Sequence, residues 1–309
     1  MKITMTLVAA TALALTAFGN AQAEEVKRLG LAVTNLQADY FNQIKIGVES
    51  YAKELGIEVI TVDAKNDGAT QVSQVQDLLT QDIDALIYLP AGAAAATVPA
   101  RLAKQQGIPV VNVDRNAEGE PGDTFIATDN AASAYDVCKH IIGLAGGKGK
   151  MIMIHGQKGT TPEVERTKGC MKAIEENPGV ELVAQQWSQQ WSQAEGLDIT
   201  QNLLQANPDV NIIFGQADGL ALGAAQGVKV SNVSQRVYVG GFDGDTTALP
   251  ILAAGGYDAT ATQQVRGIGR LAVDSAIKLA AGEDLPAEQL LPGFLTTPEN
   301  AQQYVENHP

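Results

Sequence analysis

Cysteine, histidine and cationic side chains are all scarce in this chain, and each scarcity excludes a class of protein. Two cysteines among 309 residues are too few for a disulfide scaffold or for a structural zinc site of four thiolates. His140, His155 and His308 have no metal-ligand spacing, so His155 reads as a buried or capping side chain and no metal is expected. Lys and Arg total 21 against 35 Asp and Glu, a net charge of −14. That balance opposes general binding to nucleic acid, where cations must neutralise phosphates. It also opposes docking on an anionic membrane surface. After residue 23 no apolar run is long enough to cross a bilayer, so no direct membrane insertion is expected.

Signatures of cofactor and covalent chemistry are missing as well. Gly146-Gly147-Lys148-Gly149 precedes a strand instead of following one, which is not the placement of a dinucleotide fingerprint. Gly156-Gln157-Lys158-Gly159-Thr160-Thr161 lacks the spacing of a phosphate-binding loop. Both read as turns. No serine lies in a nucleophile elbow. The chain is therefore expected not to be an enzyme and to use no cofactor.

What the chain does hold is 45% apolar and 18% charged residues, enough for a substantial core. Met1 to Ala23 opens with Lys2 and runs apolar through Leu7-Val8-Ala9-Ala10 and Ala12-Leu13-Ala14-Leu15. It closes on Ala21-Gln22-Ala23, the small-x-small pattern that a signal peptidase reads. The run is too short and alanine-rich to span about 30 Å of hydrocarbon. No cysteine near the junction offers lipid attachment. Residues 1–23 are expected to be a signal peptide cleaved before Glu24, with the periplasm of a Gram-negative host as destination.

From Val26 onward, short apolar runs alternate with amphipathic stretches. Arg28 to Val33 reads as a strand, and Phe41 to Leu55 places Ile44, Val48, Tyr51, Ala52 and Leu55 at helical spacing. Ile57 to Val62 begins the next strand. A helix at Ala69 to Thr80, a strand at Ala85 to Leu89, a helix at Thr97 to Gln106 and a strand at Pro109 to Val113 continue the pattern. Residues 116–124 read as a loop. The alternation then restarts: helix Asn130 to Ala145, strand Lys150 to Ile154, helix from Pro162, strand Val180 to Gln185, helix Ala194 to Ala206 and strand Val210 to Phe214. Helix Leu220 to Lys229, strand Arg236 to Gly240, helix Val265 to Ala281 and a short helix Asn300 to Asn307 complete it. Such alternation implies α/β architecture in two similar doubly wound lobes, because parallel strands need crossover connections.

Ligands of open parallel sheets sit beyond the carboxyl ends of the strands, so the residues after each strand are the candidates. The first strand is followed by Thr34, Asn35, Gln37, Asp39, Tyr40 and Phe41, and Val113 by Asp114 and Arg115. Ile154 leads through His155-Gly156 and Gly159-Thr160-Thr161 to Arg166, and Phe214 leads to Gln216 and Asp218. Asp243 follows Gly240, and Gln263-Gln264 follow Thr262. Of two tryptophans four apart, Trp187 reads as packing and Trp191 as a ligand-facing ring at a loop end. Asp218 reads as a cap for the helix that starts near Leu220. Charged and amide forks satisfy hydroxyls, which donate and accept at once, while rings cover the C–H faces of a sugar. The mixture suits a neutral polyhydroxy ligand. Cys138 and Cys170 fall in two helices flanking the strand at Lys150 to Ile154, and in an oxidising compartment they are expected to form a disulfide.

The chain resembles the periplasmic sugar-binding proteins of the ribose-binding type, type I periplasmic binding proteins that serve as receptors of bacterial ABC importers. The resemblance runs from Leu29 to about Phe294. It is carried by Leu31-Ala32-Val33-Thr34 with Tyr40-Phe41, by Asp114-Arg115 and by Ala127-Thr128-Asp129-Asn130. Gly159-Thr160-Thr161 with Glu165-Arg166, Gln201-Asn202-Leu203-Leu204 with Asn207-Pro208-Asp209-Val210, Ala221-Leu222-Gly223-Ala224 and Val239-Gly240-Gly241-Phe242-Asp243-Gly244 extend it. It implies that Tyr40 and Phe41 are aromatic walls of the ligand site, that Asp114, Arg115, Arg166 and Asp243 bind hydroxyls, that Trp191 stacks on the ligand, and that Gln263 sits at a crossing between lobes.

The resemblance further implies two lobes, 24–128 plus 264–291 and 129–263 plus 292–309, joined by a three-segment hinge near Asp129, Gln263 and Leu291. Hinge closure around a monosaccharide or sugar alcohol, delivery to an inner-membrane ABC permease and a monomeric state are the corresponding expectations. Ala38 and Ala217 stand where ribose receptors carry asparagine, which disfavours ribose itself. Gln37, Asp39, Gln216 and Glu163 are the candidate replacements. Signalling to a chemoreceptor or sensor kinase is compatible with transport. A sugar-responsive transcription regulator would need a basic helix-turn-helix module, and a sugar-active enzyme would need the missing chemistry.

Overall fold

The computed structural model describes residues 26–92, 96–117 and 119–309, and the expected signal peptide lies outside them. The first elements are β1 (Arg28–Val33), α1 (Asp39–Glu54), β2 (Glu58–Asp63), α2 (Gly68–Leu78), β3 (Ala85–Tyr88), α3 (Thr97–Gln105), β4 (Val110–Val113) and β5 (Thr124–Thr128). Next come α4 (Asn130–Leu144), β6 (Lys148–His155), α5 (Thr161–Glu175), β7 (Gly179–Trp187), α6 (Gln193–Ala206), β8 (Ile212–Gly215) and α7 (Asp218–Val230). They lead to β9 (Tyr238–Gly240), α8 (Leu249–Ala253) and β10 (Thr260–Thr262). The last are α9 (Val265–Ala280), β11 (Glu288–Leu291), β12 (Phe294–Thr296) and α10 (Ala301–Glu306).

These elements build a six-stranded sheet in the order β11-β5-β4-β3-β1-β2, a four-stranded sheet in the order β7-β6-β8-β9, and an antiparallel pair, β10 with β12. Both large sheets are parallel throughout. Helices cover both faces, which is why the strands read as nearly continuous apolar runs. In β1, Leu29, Leu31 and Val33 pack with Ile44 and Val48 of α1 and with Ile268, Ala272 and Val273 of α9. Ala32 joins the opposite face, with Val75 and Leu78 of α2 and Ala100 of α3. In the second sheet, α4 and α5 cover one face, and α6 and α7 the other. The expected α/β architecture of two doubly wound sheets is what forms.

Cys138 of α4 and Cys170 of α5 are bridged, with Cα atoms 5.3 Å apart. Close contact of these helices needs Gly169, where a Cβ would lie 2.1 Å from the Ala131 carbonyl oxygen. Three peptide segments connect the sheets: Asp129 between β5 and α4, Gln263 and Gln264 between β10 and α9, and Pro292 and Gly293 between β11 and β12.

Several stretches depart from the sequence reading, which assigns no element at α8, β11, β12 or most of β5. Residues 124–128, unassigned beyond the loop, form β5, fully buried between β4 and β11. Its partner β11 comes from more than a hundred residues further along the chain, so β5 owes its strand character to distant pairing as much as to its own composition.

Candidate functional site

A cavity of about 460 Å³ opens between the carboxyl ends of the two large sheets. From the first sheet, the loop after β1 supplies Asn35, Gln37 and Ala38, and the first turn of α1 supplies Asp39, Tyr40 and Phe41. The two rings meet edge to face, with centroids 5.2 Å apart, the geometry that aromatic quadrupoles favour. Asp114 and Arg115 follow β4 and are 3% and 4% exposed. Arg115 Nε lies 3.5 Å from Asp114 Oδ2, and its guanidinium sits 5.5 Å from the Phe41 ring centre.

From the second sheet, α5 carries Arg166 one turn in, and its side chain is held on three sides. Nε donates to Asn130 Oδ1 at 2.8 Å, Nη1 donates to the Gln216 carbonyl at 2.6 Å, and Nη1 pairs with Asp243 Oδ1 at 3.2 Å. The guanidinium stacks over Phe242 at 3.7 Å. Gln263 Nε2 donates to the same Asp243 oxygen at 2.7 Å. Trp191 forms the opposite wall, 6.0 Å from Arg115 and 5.7 Å from Arg166.

Backbone strain concentrates here. Asp114, Trp191 and Asp243 adopt φ values of 65°, 58° and 115°, a region that side chains other than glycine seldom occupy. Such conformations persist only where the surroundings hold them, and they gather at functional sites. Orphaned polar atoms gather here as well. The Tyr40 hydroxyl, Arg115 Nε, Trp191 Nε1 and Gln263 Oε1 are buried without a hydrogen-bond partner among the described residues. Buried polar groups are nearly always paired, and three of these four belong to residues that line the cavity, Tyr40, Arg115 and Trp191, which marks a surface made to be completed by another molecule.

Burial governs the acids. It pushes Asp243 up to about 7, with Arg166 pulling it down and Asp218 and Asp114 pushing it further up. Asp114 is also raised by burial, opposed by Arg115 and Arg166. Asp245 is raised well above the usual carboxylate range by burial and by its neighbours Asp243, Asp218 and Asp39.

Seven of the eight residues named from sequence, Tyr40, Phe41, Asp114, Arg115, Arg166, Trp191 and Asp243, line this cavity. Gln263 stands behind it, bonded to Asp243. Of the candidate replacements for the two missing amides, Gln37 and Asp39 line the cavity and Gln216 and Glu163 do not. Gln216 is spent inside the fold: it accepts from Gly156 N and donates to Thr167 Oγ1 and the Glu163 carbonyl. Glu163 accepts from Gly159 N and from Trp187 Nε1.

Asp218 does not cap α7 with its side chain; Ala217 holds the cap position without such a bond. Asp218 instead accepts from Tyr257 and Thr260 hydroxyls and from Asp245 N, which ties the loop after β9 to β10. His155 is buried as expected, bonded to Thr167 and Gln185 and stacked on Trp187 at 4.5 Å. Asn66, Gln190, Asp245 and Thr247 also line the cavity and were missed. Asn66 lies a few residues past the end of β2, so the strand-end rule applied to that strand would have found it.

Five hydrogen bonds cross the cleft. Thr246 N and Oγ1 donate to Asp39 Oδ2 at 2.8 and 2.7 Å, and Asn66 Nδ2 donates to Gln190 Oε1 at 3.0 Å. Arg115 Nη1 donates to Gln157 Oε1 at 3.2 Å, and Asn116 N to Thr161 Oγ1 at 2.9 Å. The two halves are closed on each other. No group of three or more metal-ligating side chains occurs among the described residues, and no described helix is long and apolar enough to cross a membrane.

Two parallel sheets facing one walled cleft, with three peptide crossings at their border, define a two-lobe solute receptor. The chain belongs to the periplasmic binding protein family: the family profile described as a periplasmic binding protein domain matches residues 29–284, and the fold is that of type I periplasmic binding proteins. The ribose import binding protein of Bacillus subtilis is 33% identical over 255 residues, covering 82% of each chain. That of Escherichia coli is 32% identical, covering 93% of this chain and 96% of the relative. Among solved structures, an ABC transporter solute binding protein from Bacillus halodurans with bound myo-inositol is 26% identical at a TM-score of 0.84, covering 91% of this chain and 98% of that one. Another from Mycobacterium smegmatis, with bound glycerol, is 30% identical at a TM-score of 0.84, covering 91% and 97%.

Proposed function

We propose that the protein is the periplasmic receptor of an ABC importer and binds one monosaccharide or sugar alcohol by closing two lobes around it. The observation that carries this reading is convergence: rings and hydrogen-bonding forks from both sheets face one cavity and leave buried polar atoms unpaired. Tyr40, Phe41 and Trp191 cover the C–H faces of the ligand. Asp114, Arg115, Arg166 and Asp243 take its hydroxyls, and Gln263 steadies Asp243. Relatives that import ribose and neighbours that hold myo-inositol or glycerol support a small polyhydroxy ligand. Ala38 and Ala217 at the cavity wall withhold the amides of ribose receptors, so a hexose, another pentose or a sugar alcohol fits better than ribose.

The lobes are 24–128 plus 264–291 and 129–263 plus 292–309, and the hinge lies at the three crossings. Ligand contacts from both lobes favour the closed state over the open one, which is all that is needed to shift the population. A permease in the inner membrane then reads the closed shape. The protein reaches the periplasm as a monomer after cleavage before Glu24, and it makes and breaks no bond in its ligand.

A thermal-shift screen against pentoses, hexoses and polyols tests the reading, since a bound ligand raises the melting temperature by mass action. Asp114→Ala and Trp191→Ala should each abolish the shift while the unliganded protein stays folded by circular dichroism. A shift that survives in both variants removes the site assignment.

A further inference from the structure

Gln216 does not line the cavity and is fully buried, yet both ends of its side-chain amide are engaged with the segment that builds one wall of the site. Oε1 accepts from Gly156 N at 3.0 Å. Nε2 donates to the Glu163 carbonyl at 3.1 Å and to Thr167 Oγ1 at 2.8 Å. Those two partners flank Arg166 in the first two turns of α5. The Gln216 carbonyl itself accepts from Arg166 Nη1 at 2.6 Å. One residue thus fastens the end of β6 to the start of α5 from behind the cavity.

The Trp191 ring depends on that fastening. It rests on Gly156, which has no room for a Cβ beneath the indole. Its Nε1 has no hydrogen-bond partner among the described residues, so packing aims the ring, and a shift of Gly156 becomes a shift of the wall. Arg166 stands 5.7 Å from that ring, on the same stretch of helix that Gln216 holds. Binding groups must be kept within about 0.5 Å of their working geometry by the bonds behind them.

We propose that Gln216 is a positioning residue for ligand binding: its side-chain amide locks the Gly156 seat of Trp191 to the stretch of α5 that bears Arg166, so that ring and guanidinium meet the ligand as one preset unit. This rests on the sugar-receptor reading and adds to it a residue that never touches the sugar.

Gln216→Met keeps the length of the side chain and removes its hydrogen bonds. Ribose, allose, xylitol and myo-inositol are titrated calorimetrically into the parent protein, and the tightest binder serves as probe. Gln216→Met should weaken the probe about tenfold. In a Trp191→Phe background, whose shorter ring lacks the atoms that touch Gly156, the same change should weaken it about threefold or less. Emission is read without ligand in proteins carrying Trp187→Phe, which leaves Trp191 as the only tryptophan; Gln216→Met should move it to longer wavelength. If Gln216→Met does not fold, Thr167→Val, which removes one of the three side-chain bonds, is read the same way, with a loss of about threefold that shrinks in the Trp191→Phe background. An unchanged affinity overturns the proposal, and so does an equal loss in both backgrounds, the mark of a merely structural role. If none of the four compounds binds the parent, the sugar-receptor reading is what fails, and the emission decides the positioning: a shift to longer wavelength upholds the Gly156 seat, and an unshifted spectrum overturns it.

Discussion

Trp191 owes its position to a residue with no side chain. A Cβ on Gly156 would lie 1.8 to 2.1 Å from ring atoms of Trp191, so the indole rests directly on the glycine Cα. Gly156→Ala has no flexible neighbour to push aside; the ring itself must leave the cavity wall. We expect ligand affinity to fall about tenfold or more, with only a small change in melting temperature. Titration beside a denaturation curve checks this, and an unchanged affinity would mean that the ring does not touch the ligand. At this scale the sequence was readable where chemistry follows a strand directly, as with Asp114-Arg115 after β4. It was less readable where a loop's backbone conformation aims the side chain. Asn66, at φ 65°, and Gln190, beside the strained Trp191, reach the cavity through irregular turns that have no period in sequence.

Among the elements, α4 and α5 are joined covalently as well as packed. Cys138 and Cys170 are 32 residues apart, and closing a loop of that length in the unfolded chain stabilises the fold by about 4 kcal/mol. The paired variant Cys138→Ser with Cys170→Ser should lose about that much in a denaturant titration. Thiol titration of the unfolded, unreduced protein should find no reactive sulfur, and two reactive thiols would refute the bridge. The pairing was expected because both cysteines sit on helices beside one strand. The alternation of β and α elements was legible for the same kind of reason, being written in local apolar spacing. β5 was not, because Thr124-Phe125-Ile126-Ala127-Thr128 offers only three apolar residues between threonines. It is held as a strand by β4 on one side and by β11, brought from far along the chain, on the other.

For the whole molecule, the closed arrangement rests on few bonds, and one of them lies outside the cavity. Asn116 N donates to Thr161 Oγ1 across the cleft, and neither residue lines the cavity. Thr161→Ala therefore probes closure without removing a ligand contact. A bond of this kind contributes about 1 kcal/mol, so apparent affinity should weaken severalfold as the closed population falls. Small-angle scattering of the unliganded variant should show a larger radius of gyration than the parent. Equal affinity and equal radius would show that this bond has no part in closure.

The bonds that bridge the cleft join protein to protein, and none of the five needs cargo to form. A receptor built this way can shut while empty, and on the importer-receptor reading proposed above an empty shut molecule would be a decoy that occupies the importer for no gain. Faithful uptake then depends on how rarely the unloaded molecule shuts, so the weakness of those few bonds becomes a form of quality control.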